Sequence, residues 1–239
     1  MAYYEKTEQW DRLLLHLEKL YQKDRKSSLA KETLYKLGKR FYRNEDYPRA
    51  RRILAQYVQR YPADTSRKLE IAYLDALMSE AEGHKQDAMR GYRGFLTAYG
   101  SAKASEPSLT VDPLYLATAR FRTLDPVYEE YLAVQLKEPL KKNLARKQSL
   151  LDRVVSGYME TVKSGAGEYA LASAFRVGEA YQDFWKALLT SEIPRGFSAE
   201  EKRVYRELLN EQGEPYREKA LKAFEITLQK ARDKGVFNV

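Results

Sequence analysis

The 239-residue sequence predicts an all-α fold built from antiparallel helix pairs, on three observations. Apolar residues recur at three- and four-residue spacing in paired blocks, with turn formers between the blocks. Small residues recur twelve positions apart at matching places in successive blocks, Gly38 with Ala50 and Ala76 with Ala88. Charged residues make up 32% of the chain, and abundant Leu, Ala, Lys, Arg and Glu suit helices with a solvated outer face. A hydrophobic fraction of 44% suffices for a buried core.

The N-terminal stretch "MAYYEKTEQWDRLLLHLEKL" is polar and amphipathic, without the apolar run of a secretion signal. The clearest block is "ETLYKLGKRFYRNEDYPRARRILAQYVQRYP", Glu32 to Pro62. Leu34, Leu37, Gly38 and Phe41 form one helical stripe, "RNED" breaks it, and Ala50, Leu54, Tyr57 and Tyr61 form a second. Pro62 ends the pair, and Gly38 and Ala50 are expected where the two backbones cross closely. Residues 70–100 repeat this layout around the turn "EGHKQD", with Tyr92 and Phe95 in the second helix. The offset from Ala50 to Ala88 is 38, because "DTSR" adds linker residues.

Beyond residue 100 the pattern loosens. "GSAKASEPSLTVDP" reads as a linker, followed by expected helices over 113–124 and 126–144 without clear repeat register. Helical register returns over 149–165, stopping at Gly165, and over 168–189, where Val177, Gly178 and Tyr181 stand at matching positions. The partner of that last helix is expected over 215–235, with Ala220 and Phe224 facing it. The intervening segment carries "SAEE" at Ser198–Glu201, the pattern of an N-cap and capping box opening a further helix. The organisation expected is residues 1–100 as repeats with the first truncated, 101–147 as an irregular helical connection, and 148–239 as a C-terminal region with a split repeat.

"LG" at 37–38 with Phe41, Ala50, Leu54 and Pro62 resembles the signature of the 34-residue tetratricopeptide repeat (TPR). Lys31 takes the first position of that repeat, and Tyr57 stands where the family usually has Ala. In the same register Tyr4, Trp10, Leu13, Leu17 and Leu20 fall on a preceding repeat whose first helix would lie mostly before residue 1, so the chain is expected to derive from a longer one. "YPRARRILAQYVQRYP" is similar in style to envelope TPR proteins of outer-membrane assembly and Tol-Pal-associated systems. "AFRVGEAYQDF", "IPRGFSAEEKRVYRELL" and "EKALKAFEITLQKARDKGVFN" are similar to the terminal repeat of TPR proteins from gliding, predatory and metal-reducing bacteria. The resemblance implies a TPR-like α-solenoid interrupted in its middle, and a periplasmic or envelope location, with the cytoplasm as alternative.

Absence of Cys excludes disulfides, thiolate nucleophiles and Cys-based metal sites. With only His16 and His84, no Ser-His-Asp set can be assembled. "KSGAGEY", from Lys163 to Tyr169, lacks the Gly-Lys-Ser/Thr end of a phosphate loop and reads as an interhelical turn. No enzyme and no cofactor is expected. A net charge of +8 favours an anionic partner.

In the register of the resemblance, the inner face of the solenoid takes Glu32, Tyr35, Lys39, Tyr42 and Arg43 from the first full repeat. The next repeat supplies Glu70, Tyr73, Leu77, Glu80 and Ala81, and the C-terminal one Ala172, Phe175, Glu179, Gln182 and Asp183. Tyr35, Lys39, Tyr42, Arg43, Tyr73 and Leu77 are the expected partner-binding residues, suited to a peptide with acidic or aromatic side chains. Lys at position 39 with Tyr at 35 departs from the carboxylate clamp that some TPR domains use. Two basic clusters, Arg49/Arg51/Arg52 and Lys137/Lys141/Lys142/Arg146/Lys147, leave nucleic acid or anionic lipid as the alternative partner. Self-association through solenoid ends is a third option.

Overall fold

The computed structural model describes residues 9–24, 27–164 and 167–233. Tyr4, the expected stop at Gly165 and the tail beyond Asp233 lie outside the described residues. Those residues contain nine helices and no strand, so the fold is all-α. The chain divides into two compact units, Met1–Thr110 and Val111–Val239.

The first unit holds α1 (Trp10–Lys23), α2 (Ser28–Arg43), α3 (Tyr47–Arg60), α4 (Thr65–Ala81) and α5 (Lys85–Ser105). Side chains fix where three of them begin. Ser27 Oγ accepts from the Ala30 N–H, Asp46 from Arg49 and Asp64 from Arg67, each satisfying one orphan donor of a helix start. Pro48 sits in the first turn of α3, where no intrahelical N–H is needed. Gly83 has φ +80, the left-handed conformation that turns the chain from α4 into α5.

Helices α2 and α3 pack as one hairpin, α4 and α5 as another, and α4 also lies against α3. Leu34, Leu37, Phe41, Ala50, Leu54 and Tyr57 are all buried, as the two stripes require. Helix α3 comes close to α2 at Gly38, as the small residue there leads one to expect, and Ala50 is fully buried. The open side of Gly38 is filled by Leu54, whose Cδ2 stands 2.5 Å from where a Cβ would be. Gly91 of α5 meets Ala76 of α4 in the same way, at 2.8 Å.

The second unit holds α6 (Pro113–Ala133), α7 (Leu140–Lys163), α8 (Gly167–Leu189) and α9 (Ala199–Asp233). Two expectations about its helices are corrected. The helices placed on either side of Pro126 are one, and the break falls at Val134–Pro139 instead. Likewise α9 runs as a single 35-residue helix through Pro215, where separate helices were expected. Each proline removes one intrahelical hydrogen bond, and both prolines are exposed. Pro139 disfavours helical backbone at Glu138, and the segment is pinned by Glu192, whose N–H donates to Leu136 O at 2.9 Å.

The capping box at the start of α9 is present: Glu201 N donates to Ser198 Oγ, and Ser198 N donates to Glu201 Oε2 at 2.7 Å. Gly178 of α8 faces Phe224 of α9, a Cβ there falling 2.5 Å from Phe224 Cε1. The core between α6, α7 and α8 is aromatic, with Tyr131, Tyr158 and Phe184 fully buried.

Candidate functional site

Helix α2 places Tyr35, Lys39 and Arg43 at four-residue intervals, one above the other on one face. These three line a cavity of about 470 Å³ with Glu32, Lys36, Arg40 and Asn44. The docking of α4 onto α2 sets its electrostatics. Glu70 of α4 accepts from the Tyr35 hydroxyl and binds Lys39 Nζ at 2.6 Å. Arg67, one turn earlier, binds Glu32, donates to Tyr57 Oη at 3.1 Å and lies 4.3 Å over the Tyr35 ring.

That guanidinium hydrogen bond holds the Glu32 carboxyl below the usual carboxylate range. At Asp64 burial pushes the carboxyl up, but bonds from Lys31, the Tyr57 hydroxyl and the Arg67 N–H outweigh it and the net shift is down. Burial pushes the Tyr57 phenol upward. The network fixes Tyr35 as a buried strut, 8% exposed, whose ring also meets Tyr57 at 5.5 Å.

The remaining expected residues are placed differently. Tyr42 is half-buried, its ring 6.3 Å from Tyr47, and burial raises its phenol. Tyr73 is in the α4–α5 core against Tyr92 and Phe95, and Leu77 beside it is half-buried. Neither lines the α2 cavity. Sequence reading gave no place to Lys36 and Arg40, although Lys36 stands one step from Tyr35.

The C-terminal counterparts lie on α8, and Phe175, Glu179 and Asp183 each have a neighbour in the second unit. Phe175 packs on Phe224 with centroids 5.3 Å apart, and Glu179 pairs with Arg176 at 3.0 Å. Asp183 pairs with Lys147 at 2.8 Å. Lys147 is therefore a correction to the second basic cluster. Its ammonium group is buried, donating to Tyr131 O and Val134 O at 3.1 Å each and capping the end of α6. Arg146 is engaged by Glu130 at 2.8 Å.

Among the described residues no group of three or more His, Asp or Glu is arranged to hold a metal, and no helix is long and apolar enough to cross a membrane. No protein-family model matches this chain, no curated protein matches it, and no solved structure matches it.

Proposed function

We propose that this chain is a non-catalytic helical-repeat adaptor of the TPR type, which captures an acidic peptide segment of a partner protein along α2. The observation that carries the reading is the α2 cavity, lined by Lys36, Lys39, Arg40 and Arg43 with the carboxylate Glu32, while Glu70 of α4 pairs with Lys39. Hydrogen bonds from α4 hold the Tyr35 and Lys39 side chains before any ligand arrives, which lowers the ordering cost of binding. The TPR assignment is supported by the repeat spacing, which falls on helices that pack as hairpins. A bacterial envelope location follows from the sequence resemblance alone.

The network also decides which side chains are open to a ligand. Lys39 is bound to Glu70, whereas Lys36, loosely paired with Glu32 at 3.5 Å, and Arg43 are exposed and can turn to a carboxylate. The test is fluorescence anisotropy of labelled acidic peptides against charge-neutral ones of the same length. Parent protein is expected to select the acidic set, and Lys36→Glu/Arg43→Glu to lose that selection while keeping its helical circular dichroism. Equal binding by the doubly reversed variant would remove this site from the reading. Binding of duplex DNA or RNA with a steep salt slope, unaffected by the variant, would favour the nucleic-acid alternative.

A further inference from the structure

Helices α3, α4 and α5 enclose a cavity of about 880 Å³, separate from the α2 site. Leu54, Leu69 and Met78 form its floor and are buried. Its walls are the Arg51–Gln59 stretch of α3 and the Ala98–Ser105 stretch of α5, where Ala55, Ala98 and Ala102 keep the opening wide. At about 1.5 Å per residue the walls run roughly 12 Å, room for about two turns of a docking helix. Of the charges lining it, Asp75 is engaged by Arg51 at 2.7 Å, which leaves the Lys68 ammonium, bound to the neutral Pro62 carbonyl, without an acid. Beyond the lining, α3 carries Arg49, Arg52 and Arg60 and no acid of its own, Arg49 being paired with Asp46 and Arg60 with Glu18, and α5 carries Lys85, Arg90, Arg93 and Lys103 against Asp87 alone. Such a groove suits an apolar stripe flanked by carboxylates.

The chain carries a helix face of that description. From Ala199 to Gln212 every residue of α9 is exposed except Tyr205 and Leu209, which are half-buried. Val204 and Leu208 are four residues apart on one face and stand 43% and 51% exposed. Glu200, Glu201, Glu207 and Glu211 each lie three or four positions from one of them, and so border the same face. Lys202 and Arg206 lie two positions away and point elsewhere, and Arg203 pairs with Glu200 at 2.5 Å and Glu207 at 3.4 Å, so Glu201 and Glu211 are the bordering acids not bound to it. Tyr205 meets Phe197, and Leu209 packs on the core of its own unit, so this turn of α9 is oriented with the acidic stripe outward.

We propose that the Val204/Leu208 stripe of one copy seats in the α3–α5 groove of a second copy, so that the chain associates head to tail. The contact joins two different surfaces, so each added copy leaves one groove and one stripe open. Opposite charge sets the register, and burial of the two apolar side chains supplies the attraction.

Sedimentation velocity of the full chain tests this, and the mass is expected to rise past that of a dimer with concentration. Ala98→Trp fills the groove and Leu208→Asp spoils the stripe. Both positions are exposed, so each variant is expected to keep the parent's circular dichroism and remain monomeric. Mixed one to one, the two variants are expected to form a heterodimer and stop, because one retains a stripe and the other a groove. Glu207→Lys/Glu211→Lys is a second stripe variant, expected to weaken association roughly tenfold or more. A parent that stays monomeric overturns the proposal, as does a variant mixture that fails to pair while the parent associates. Parent binding to anionic phospholipid vesicles, lost in Ala98→Trp and without self-association, would overturn it in favour of a membrane surface.

Discussion

Gly38 of α2 and Leu54 of α3 occupy one another's space: a Cβ at residue 38 would stand 2.5 Å from Leu54 Cδ2 and 2.7 Å from its Cγ. Leu54 is 1% exposed, and its Cγ as well as its terminal methyl would have to move. Gly38→Ala is therefore expected to destabilise the fold by about 1–3 kcal/mol through overpacking, despite the better helix propensity of Ala. Gly94 of α5 has nothing within 4 Å of its Cβ position, so Gly94→Ala is expected to stabilise by about 0.5–1 kcal/mol. Urea midpoints measured on both variants, at unchanged slope, check the opposite signs.

Lys147 and Asp183 behave as a pair. Lys147→Ala strands a carboxylate and removes the donor shared by Tyr131 O and Val134 O, so a loss of about 3 kcal/mol is expected. Lys147→Met with Asp183→Leu removes both charges and is expected to cost less than Lys147→Ala alone. A double-mutant cycle on unfolding free energies reads the coupling. Additive losses would show that the ammonium serves only the helix end.

Arg67 binds Glu32 and Tyr57 and covers the Tyr35 ring, which needs a planar fork. Arg67→Lys is expected to lose most of what Arg67→Ala loses, about 1–3 kcal/mol at this half-buried position. Full recovery by Lys would reduce the site to a point charge. Thermal unfolding of the two variants separates these cases.

The fold is expected to fail in alkali before it fails in mild acid. Burial raises the phenols of Tyr131, Tyr158 and Tyr57. Their contribution is complete below about pH 10, where unfolded-chain tyrosines begin to ionise, and is lost as pH rises beyond it, since the unfolded state then holds fewer protons. Glu32 and Asp64 are shifted down, so their contribution is present above the ordinary carboxylate range and lost as pH falls through their lowered values. Unfolding midpoints across pH are expected to be flat near neutrality and fall above about pH 10, less so in Tyr158→Phe.

Much of the helix layout was legible because it rests on local chemistry. The Leu34–Phe41 and Ala50–Tyr57 stripes, the "RNED" turn and the Ser198/Glu201 box are each written within a few adjacent residues. The continuity of α6 through Pro126 and of α9 through Pro215 was not legible, because whether a helix tolerates a proline depends on tertiary packing along its length. The burial of Lys147 depends on Asp183, 36 residues away, and a run of cations on one helix looks alike whichever member is buried. At the candidate site, four-residue spacing brought Tyr35, Lys39 and Arg43 into one cavity. The same arithmetic placed Tyr73 there too, because position numbers do not register that α5 covers that side of α4 with Tyr92 and Phe95.

The central claim is that α2 receives an acidic peptide, and amide chemical-shift mapping during titration with such a peptide tests it most directly. Saturable shifts clustered at residues 36–44 and at Glu70, absent in Lys36→Glu/Arg43→Glu, are the expected result. Saturable shifts confined to α3 and α5, or to the second unit, would contradict the account and move the binding site elsewhere.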